Sequence, residues 1–149
     1  MGLQPQLRLK QDIATRWHST YFMMRRFTEV KEPLISTLAL VNTQLTALSL
    51  EEWKIINEAC EVLQPFEEVT VELSSERFVA DSKAILMARG LQRVTAHRQR
   101  RSSIHKPVRE MINILMAELT KRFGGIEQVN VLVEAVILDL RFKKTCIHS

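Results

Sequence analysis

Glycine and proline are scarce in this chain, with four of each among 149 residues. An all-β sandwich or barrel needs many tight turns, and such turns rely on these two residues. Leucine, glutamate, alanine, methionine and arginine are plentiful instead, and they lose little rotamer freedom in a helix. The composition therefore predicts a mainly α-helical domain that is long enough to bury a core.

Apolar residues recur at spacings of three and four along most of the chain, which is typical of amphipathic helices. Stripes begin at Tyr21, at Trp53 and at Ala84, and the third is expected to bury Leu91 and Val94. The clearest stripe contains Val108, Met111, Ile112, Leu115, Met116, Leu119 and Phe123. These segments together predict a helical bundle.

Polar residues and prolines mark the expected helix ends. Ser19 or Thr20 is expected to cap the first helix, because a hydroxyl can accept from the free backbone amides there. Ser49 and Glu52 have the spacing of a capping box before the second stripe. Pro65 is expected to end that helix or to open the next turn.

Two segments do not show the amphipathic pattern of the helices described above. Leu7, Leu9 and Ile13 alternate with polar residues, which allows one short strand near the N-terminus. Residues 129–140 are almost continuously apolar and are interpreted as a buried helix. The expected organisation is a single partial domain, residues 1–149, with an N-terminal segment at 1–19, a helical region at 20–140 and a basic tail at 141–149.

No run of about 18 apolar residues occurs, so the sequence predicts no membrane partner. The N-terminal residues lack the apolar core of a signal peptide. Cys60 lies on a helical apolar face and Cys146 lies in the basic tail, without the spacing of a zinc site. We therefore expect a reducing compartment, either the cytosol or the nucleus.

Positive charge is concentrated in residues 93–109, although the net charge of the whole chain is only +4. This segment contains no acidic residue, and its cations are Arg93, Arg98, Arg100, Arg101, Lys106 and Arg109. Such a segment suits the phosphates of a nucleic acid. The alternative interpretation is a solvated loop that keeps the domain soluble.

Arg16 and Trp17 are adjacent at the expected entrance of the first helix. A guanidinium can bind phosphate while an indole stacks on a base, so the pair is a candidate nucleic-acid contact. The alternative is that Trp17 is a core residue and Arg16 its solvated neighbour, because tryptophans are buried on average.

Recognisable catalytic motifs are absent from the sequence. It has no phosphate-binding glycine loop, no dinucleotide fingerprint and no paired histidine or cysteine motif for zinc. Its glutamates follow helical spacing and are interpreted as an exposed acidic face. We therefore expect no enzyme activity, no cofactor, no metal site and no small-molecule substrate.

Four segments together resemble the hAT-superfamily transposases, and most closely the domesticated BED-type zinc finger proteins derived from them. Residues 12–21, DIATRWHSTY, resemble the signature D-x-x-T-R-W-N-S-T-Y. Glu52-Trp53 with residues 62–68, VLQPFEE, resembles E-W followed by L-L-K-P-F-E-E. Residues 72–76, ELSSE, and 138–143, LDLRFK, resemble E-L-S-x-E and L-D-P-R-F-K. The resemblance covers about residues 8 to 144.

This resemblance implies part of the helical insertion of an RNase H-like fold. The family's catalytic aspartates and glutamate are expected to lie outside these 149 residues, so the chain is expected to be an inactive fragment. The family's tryptophan helps to hold the end of cleaved DNA, which makes Trp17 the implied stacking residue and Arg16 its phosphate partner. His18 and Leu140 depart from the family's asparagine and proline, as in a domesticated or decaying copy.

Three functions remain open from the sequence. The preferred one is a catalytically inactive, nuclear, DNA-associated module that uses Arg16, Trp17, Arg98, Arg100 and Arg101. The second is a structural or protein-interaction module without direct nucleic-acid binding, whose apolar faces complete a larger core. The apolar faces could also complete an oligomer, and self-association through the rest of the full-length protein is a further open alternative. The third, an active nuclease or transposase, needs acidic metal ligands.

Overall fold

The computed structural model describes residues 8–13, 16–41, 46–75 and 81–125. Within these ranges it contains five helices and no strand, which confirms the prediction of a mainly α-helical fold. The helices are α1 (Trp17–Glu29), α2 (Lys31–Leu40), α3 (Leu50–Ser75), α4 (Asp81–Gln99) and α5 (Lys106–Phe123).

The optional N-terminal strand is wrong for residues 8–13, which have no regular structure. The backbone of Ile13 turns into α1 instead, because its amide donates to Ser19 Oγ and its carbonyl accepts from the Arg16 amide. Leu7, the helix interpreted at residues 129–140 and the basic tail all lie outside the described residues.

The chain divides into two compact units, Met1–Gln64 and Pro65–Ser149. Helix α3 spans this division, and its two parts belong to different units. The organisation expected from the sequence, a single partial domain with bounds at residues 19 and 140, stays a prediction.

The first unit contains α1, α2 and the N-terminal part of α3. Val30 separates α1 from α2, and the second helix restarts with Pro33 in its first turn, where proline is tolerated. Tyr21 and Val30, two members of the predicted α1 stripe, are buried. On α3 the buried residues are Trp53, Ala59 and Val62. The stripe predicted from the sequence, Trp53, Ile56, Cys60 and Leu63, is buried only at Trp53 and half-buried at the other three positions.

The capping box before α3 is confirmed. The Ser49 amide donates to Glu52 Oε2 over 2.7 Å, and the Glu52 amide donates to Ser49 Oγ over 3.2 Å. The Ser49 amide holds the pKa of Glu52 below its ordinary value, and the Ser49 hydroxyl, which donates to Glu52 Oε2 over 2.8 Å, is the second cause.

Pro65 does not end α3, so the first of the two alternatives expected for it is wrong. The helix continues for ten residues beyond it, to Ser75. The apolar stripe also continues beyond the proline, since Val62 is buried and Phe66 and Val69 on the same face are half-buried. Packing of this stripe offsets the helix penalty of an interior proline, which is about 3 kcal/mol.

The second unit is built around α4 packed against α5. Val108, Ile112 and Leu119 are its buried residues on α5, as the sequence predicted, and Ile112 has 0% of its surface exposed. Helix α5 ends at Phe123, and Gly124 forms its C-cap in right-handed conformation. The Gln99 amide group donates to Asn113 Oδ1 over 2.8 Å and joins the two helices at one end.

The buried face of α4 differs from the predicted one. Its buried residues are Ile85, Ala88, Leu91 and Thr95, whereas Val94 is 40% exposed. The face is therefore rotated by one residue over most of its length. Its position is set by the contact with α5, which the local pattern of α4 does not contain.

Candidate nucleic-acid interface

The segment before α1 is held by a hydrogen-bond network around the Asp12 carboxylate. Ser19 Oγ accepts from the Ile13 amide over 2.8 Å and lies within hydrogen-bond distance of Asp12 Oδ1. Thr20 Oγ1 donates to the same carboxylate oxygen over 3.0 Å. The network joins residues that are seven and eight positions apart and fixes the approach of the chain to the helix.

The Asp12 network corrects the predicted role of Ser19 and Thr20. Helix α1 begins at Trp17, and its N-cap is Arg16, in extended conformation without a side-chain cap bond. Ser19 and Thr20 occupy the first turn inside the helix. Their hydroxyls bind Asp12, so neither residue is the N-cap.

The two hydroxyls also change the charge properties of Asp12. The pKa of this carboxyl lies below its ordinary value of 3.8, first because of the Ser19 hydroxyl and then because of the Thr20 hydroxyl. Asp12 therefore stays ionised near the N-terminus of α1, where the helix dipole favours negative charge.

Arg16 is exposed at the entrance of α1, as the nucleic-acid hypothesis requires. Two backbone bonds fix its position: its amide donates to the Ile13 carbonyl over 2.8 Å, and its carbonyl accepts from the Ser19 amide over 2.9 Å. Trp17 is the first residue of α1. The structure describes its backbone but not its side chain, so the predicted stacking of the indole lies outside the described part. The contact predicted for this pair stays a prediction.

The basic segment at residues 93–109 is mostly helical, which corrects the solvated-loop interpretation. Arg98 lies in the last turn of α4 and is half-buried, where a cation suits the negative end of the helix dipole. Arg100 and Arg101 are exposed in the short connection between α4 and α5. Only residues 100–105 form a connection, so these arginines lie on a defined turn.

Arg109 on α5 helps to hold that turn. Its Nη2 atom donates to the carbonyl of Ser102 over 3.2 Å and lies 3.4 Å from the carbonyl of Arg101. The guanidinium thereby ties the start of α5 back to the connection. The turn brings together the three predicted residues of this segment, whereas Arg16 belongs to the first unit and forms a separate candidate site.

A cleft beside α1 is a basic site that the sequence did not indicate. We call it the α1 cleft; its volume is about 110 Å³, and it is lined by Lys10, Phe22, Arg25, Arg26 and Glu29. The adjacent pair Arg25-Arg26 was the only local signal for it. Lys10 is exposed and distant in sequence, so its contribution depends on the fold.

Two arginines of the α1 cleft share one carboxylate. Glu29 Oε1 lies 3.4 Å from Arg25 Nε, and Glu29 Oε2 lies 3.3 Å from Arg26 Nη1. The side chain of Arg26 is only 16% exposed. Its Nε and Nη1 atoms are buried without a hydrogen-bond acceptor among the described residues.

Two kinds of feature are missing from the described ranges. No helix between residues 16 and 125, where the structure describes the chain, is long and apolar enough to cross a membrane. Within the same ranges, no group of three or more histidine, cysteine, aspartate or glutamate side chains is placed to hold a metal ion.

Comparisons with known proteins found one matching family model and a similar human protein. Residues 1–62 match the family model of the ZBED1 RNase-like helical domain. The chain is also 28% identical over 72 residues to the human (Homo sapiens) Zinc finger BED domain-containing protein 4.

The match to the human protein covers 48% of this chain but only 6% of that relative, so the chain spans a small part of the relative's length. No solved structure is significantly similar to the chain. The matched residues include the Asp12 network and Arg16-Trp17, the same motif on which the sequence resemblance was based. The resemblance is thereby supported over residues 1–62, where the chain is similar to hAT-derived proteins of the BED type.

Proposed function

We propose that this chain is a DNA-associated module of a nuclear protein and has no catalytic activity of its own. The observation that carries the proposal is the turn between α4 and α5, where Arg98, Arg100 and Arg101 lie together. No acidic residue occurs between positions 93 and 109 of the sequence. Phosphate contacts of this kind provide most of the sequence-independent affinity for DNA.

The second part of the proposed interface is the entrance of α1. Arg16 is exposed there, and the Asp12 network fixes the backbone on both sides of it. In the proposed complex the guanidinium binds a backbone phosphate, and the Trp17 indole stacks on a base. A preorganised backbone supports this role, because less conformational entropy is lost when the contact forms.

Nuclear localisation and catalytic inactivity are proposed from the family. The similar human protein is named for a zinc finger BED domain, and a DNA-associated relative of it would act in the nucleus. From the resemblance we expect the family's catalytic acids to lie outside the motifs found here. We therefore expect the 149-residue chain neither to cut DNA nor to join strands when Mg²⁺ or Mn²⁺ is supplied.

A fluorescence anisotropy titration with a labelled duplex and a hairpin, at several salt concentrations, tests DNA association. The expected slope of log affinity against log salt is about −0.9 per phosphate neutralised. The double substitution Arg100→Gln/Arg101→Gln should make the slope smaller by roughly two. The matched control is Lys121→Gln/Arg122→Gln on the exposed side of α5, which removes the same charge elsewhere in the second unit.

Absent binding to both DNAs, or an equal effect of the two double variants, would remove the proposal for the α4–α5 turn. Arg16→Gln tests the entrance of α1 separately. It is expected to weaken binding at the hairpin more than at the duplex, because the family's motif contacts a DNA end.

A structural or protein-interaction role is the second candidate, and one observation favours it. Helix α2 is rich in apolar residues but buries none of them, and its last residue Leu40 is 85% exposed. An exposed apolar helix of this kind is usually covered by a partner or by the rest of a larger protein. Size-exclusion chromatography with Leu40→Glu tests it, since loss of a dimer or of aggregation in the variant supports this role.

A further inference from the structure

We propose that Ser103, in the turn between α4 and α5, is a phosphorylation site for an arginine-directed serine kinase, and that its phosphate weakens the binding of this turn to DNA. The modification site rests on the sequence and the exposure of the turn. Its effect on DNA rests on the proposed function.

The residues around Ser103 have the spacing that such a kinase recognises. Arg100 and Arg101 stand three and two positions before it, and Ile104 follows it directly. Kinases of this class bind the two guanidiniums with carboxylates of the substrate groove, and an apolar pocket takes the next side chain. The neighbouring Ser102 has a glutamine three positions before it and a serine after it, so the pattern selects Ser103.

The turn presents this pattern to solvent. Residues 100–103 are exposed and Ile104 is half-buried. All five residues follow the end of α4 at Gln99 and precede α5. A kinase binds its substrate segment in extended form, and an exposed connection between helices is where an enzyme gains access to the backbone.

The contacts that hold the turn are weak enough for it to open. The Arg101 amide donates to the Arg98 carbonyl over 3.1 Å, and Arg109 Nη2 donates to the Ser102 carbonyl over 3.2 Å. The arginine contact is exposed. Exposed hydrogen bonds contribute little net free energy, because water replaces them when they break. The turn can therefore extend into a kinase groove while both helices stay folded.

The modification is a phosphoryl transfer from ATP with bound Mg²⁺. Ser103 Oγ attacks the γ-phosphorus, a bond forms between these two atoms, and the bond from that phosphorus to the β–γ bridging oxygen breaks. ADP leaves, and the serine proton passes to a base of the kinase. The phosphoserine carries about −1.5 to −2 charges at pH 7.

The Arg109 guanidinium lies close to the proposed phosphate. The carbonyl to which it donates belongs to the same peptide unit as the Ser103 amide. A phosphate on Ser103 is therefore within a side chain's length of a guanidinium, and it is also near the N-terminus of α5, where the helix dipole favours negative charge. Held at the turn, this phosphate repels the phosphates of DNA.

The first test incubates the 149-residue chain with ATP, Mg²⁺ and the catalytic subunit of cAMP-dependent protein kinase, and maps the phosphate by tandem mass spectrometry. We expect one phosphoryl group at Ser103 and none at this position in Ser103→Ala. Ser102→Ala, one position away, is the matched control and should be phosphorylated at the native rate. Arg100→Gln should slow the reaction about tenfold through the loss of one charge-assisted contact.

Two results would overturn the modification site: no phosphate mapped to Ser103, or equal rates for the native chain and Arg100→Gln. Circular dichroism under the reaction conditions shows that the helices are intact during phosphorylation.

The second test compares the phosphorylated and unmodified chains by fluorescence anisotropy with the same duplex at several salt concentrations. The slope of log affinity against log salt should become smaller by roughly two after phosphorylation, and a phosphatase should restore it. Unchanged DNA affinity after complete phosphorylation of Ser103 would overturn the regulatory effect. Absent DNA binding by the unmodified chain would remove the proposed function and this effect together, whereas the mapped phosphate decides the modification site by itself.

Discussion

Thr20 Oγ1 lies 3.0 Å from Asp12 Oδ1, although the two residues are eight positions apart and only one of them is in a helix. This bond and the neighbouring one from Ser19 connect the first and last parts of the motif DIATRWHSTY. The motif thus has a structural role, in which its polar residues hold the backbone that carries Arg16.

The Asp12 network predicts a pH-dependent stability. Its carboxyl has a depressed pKa in the folded chain, so its contribution is complete above the unfolded pKa, near 4, and is lost as the pH falls through the folded pKa. We expect Asp12→Asn to lower the free energy of unfolding at pH 7. The difference from the native chain should shrink as the pH falls below about 4. Urea unfolding followed by circular dichroism at pH 7 and pH 3 measures it.

Ser19→Ala is the matching test of the cause, since the Ser19 hydroxyl is the largest contributor to the lowered pKa of Asp12. Like Asp12→Asn, this substitution should make the free energy of unfolding depend less on pH between pH 7 and pH 3. A difference between the native chain and Asp12→Asn that is constant from pH 7 to pH 3 would show that the network does not stabilise the ionised carboxylate.

The capping box predicts a loss of stability at the start of α3. Ser49→Ala removes the hydroxyl that accepts from the Glu52 amide and should cost about 0.5–2 kcal/mol. Ser49→Asp keeps a cap acceptor and should restore most of the stability. Thermal unfolding of the three proteins measures the effect, and equal melting temperatures for Ser49→Ala and the native chain would contradict it.

Two isoleucines on α5 provide a matched pair for the core of the second unit. Ile112 is 0% exposed and Ile114 is 65% exposed, although they are two residues apart on the same helix. We expect Ile112→Ala to destabilise the chain by about 2–5 kcal/mol through lost burial and a cavity. Ile114→Ala should change the stability by less than roughly 0.5 kcal/mol. Urea denaturation compares the two, and similar costs would mean that the α5 face is wrongly assigned.

Helical periodicity predicted the elements that local sequence determines. The stripe from Val108 to Leu119 identified the buried face of α5, and Ser49 with Glu52 identified the start of α3. Both features depend on residues three or four apart, which a helix places side by side. On α4, by contrast, Thr95 is buried and Val94 is exposed, because the contact with α5 decides the face.

The sequence predicted which residues form the candidate site, but it did not predict the hydrogen bonds that position them. Arg16, Arg100 and Arg101 are exposed as the sequence suggested. The Asp12 network was not predicted, since hydrogen bonds across seven or eight residues depend on how the chain turns before α1. The α1 cleft was missed for the same reason, because Lys10 reaches Phe22 only after that turn has formed.

We expect substitution of Pro65 to stabilise the folded chain, because this proline lies inside α3 and not at its end. A proline there lacks the amide that would donate to the carbonyl four residues earlier, and its ring crowds that carbonyl. We expect Pro65→Ala to raise the free energy of unfolding by roughly 1–3 kcal/mol, reduced by the lost packing of a half-buried ring.

Pro33→Ala is the control, because Pro33 lies in the first turn of α2, where an amide has no helical partner. That change should destabilise the chain by less than about 1 kcal/mol, through the greater freedom of the unfolded state. Opposite shifts of the urea midpoint in the two variants would confirm that α3 is continuous through Pro65, and a destabilising effect of Pro65→Ala would show that the proline instead supports a helix boundary.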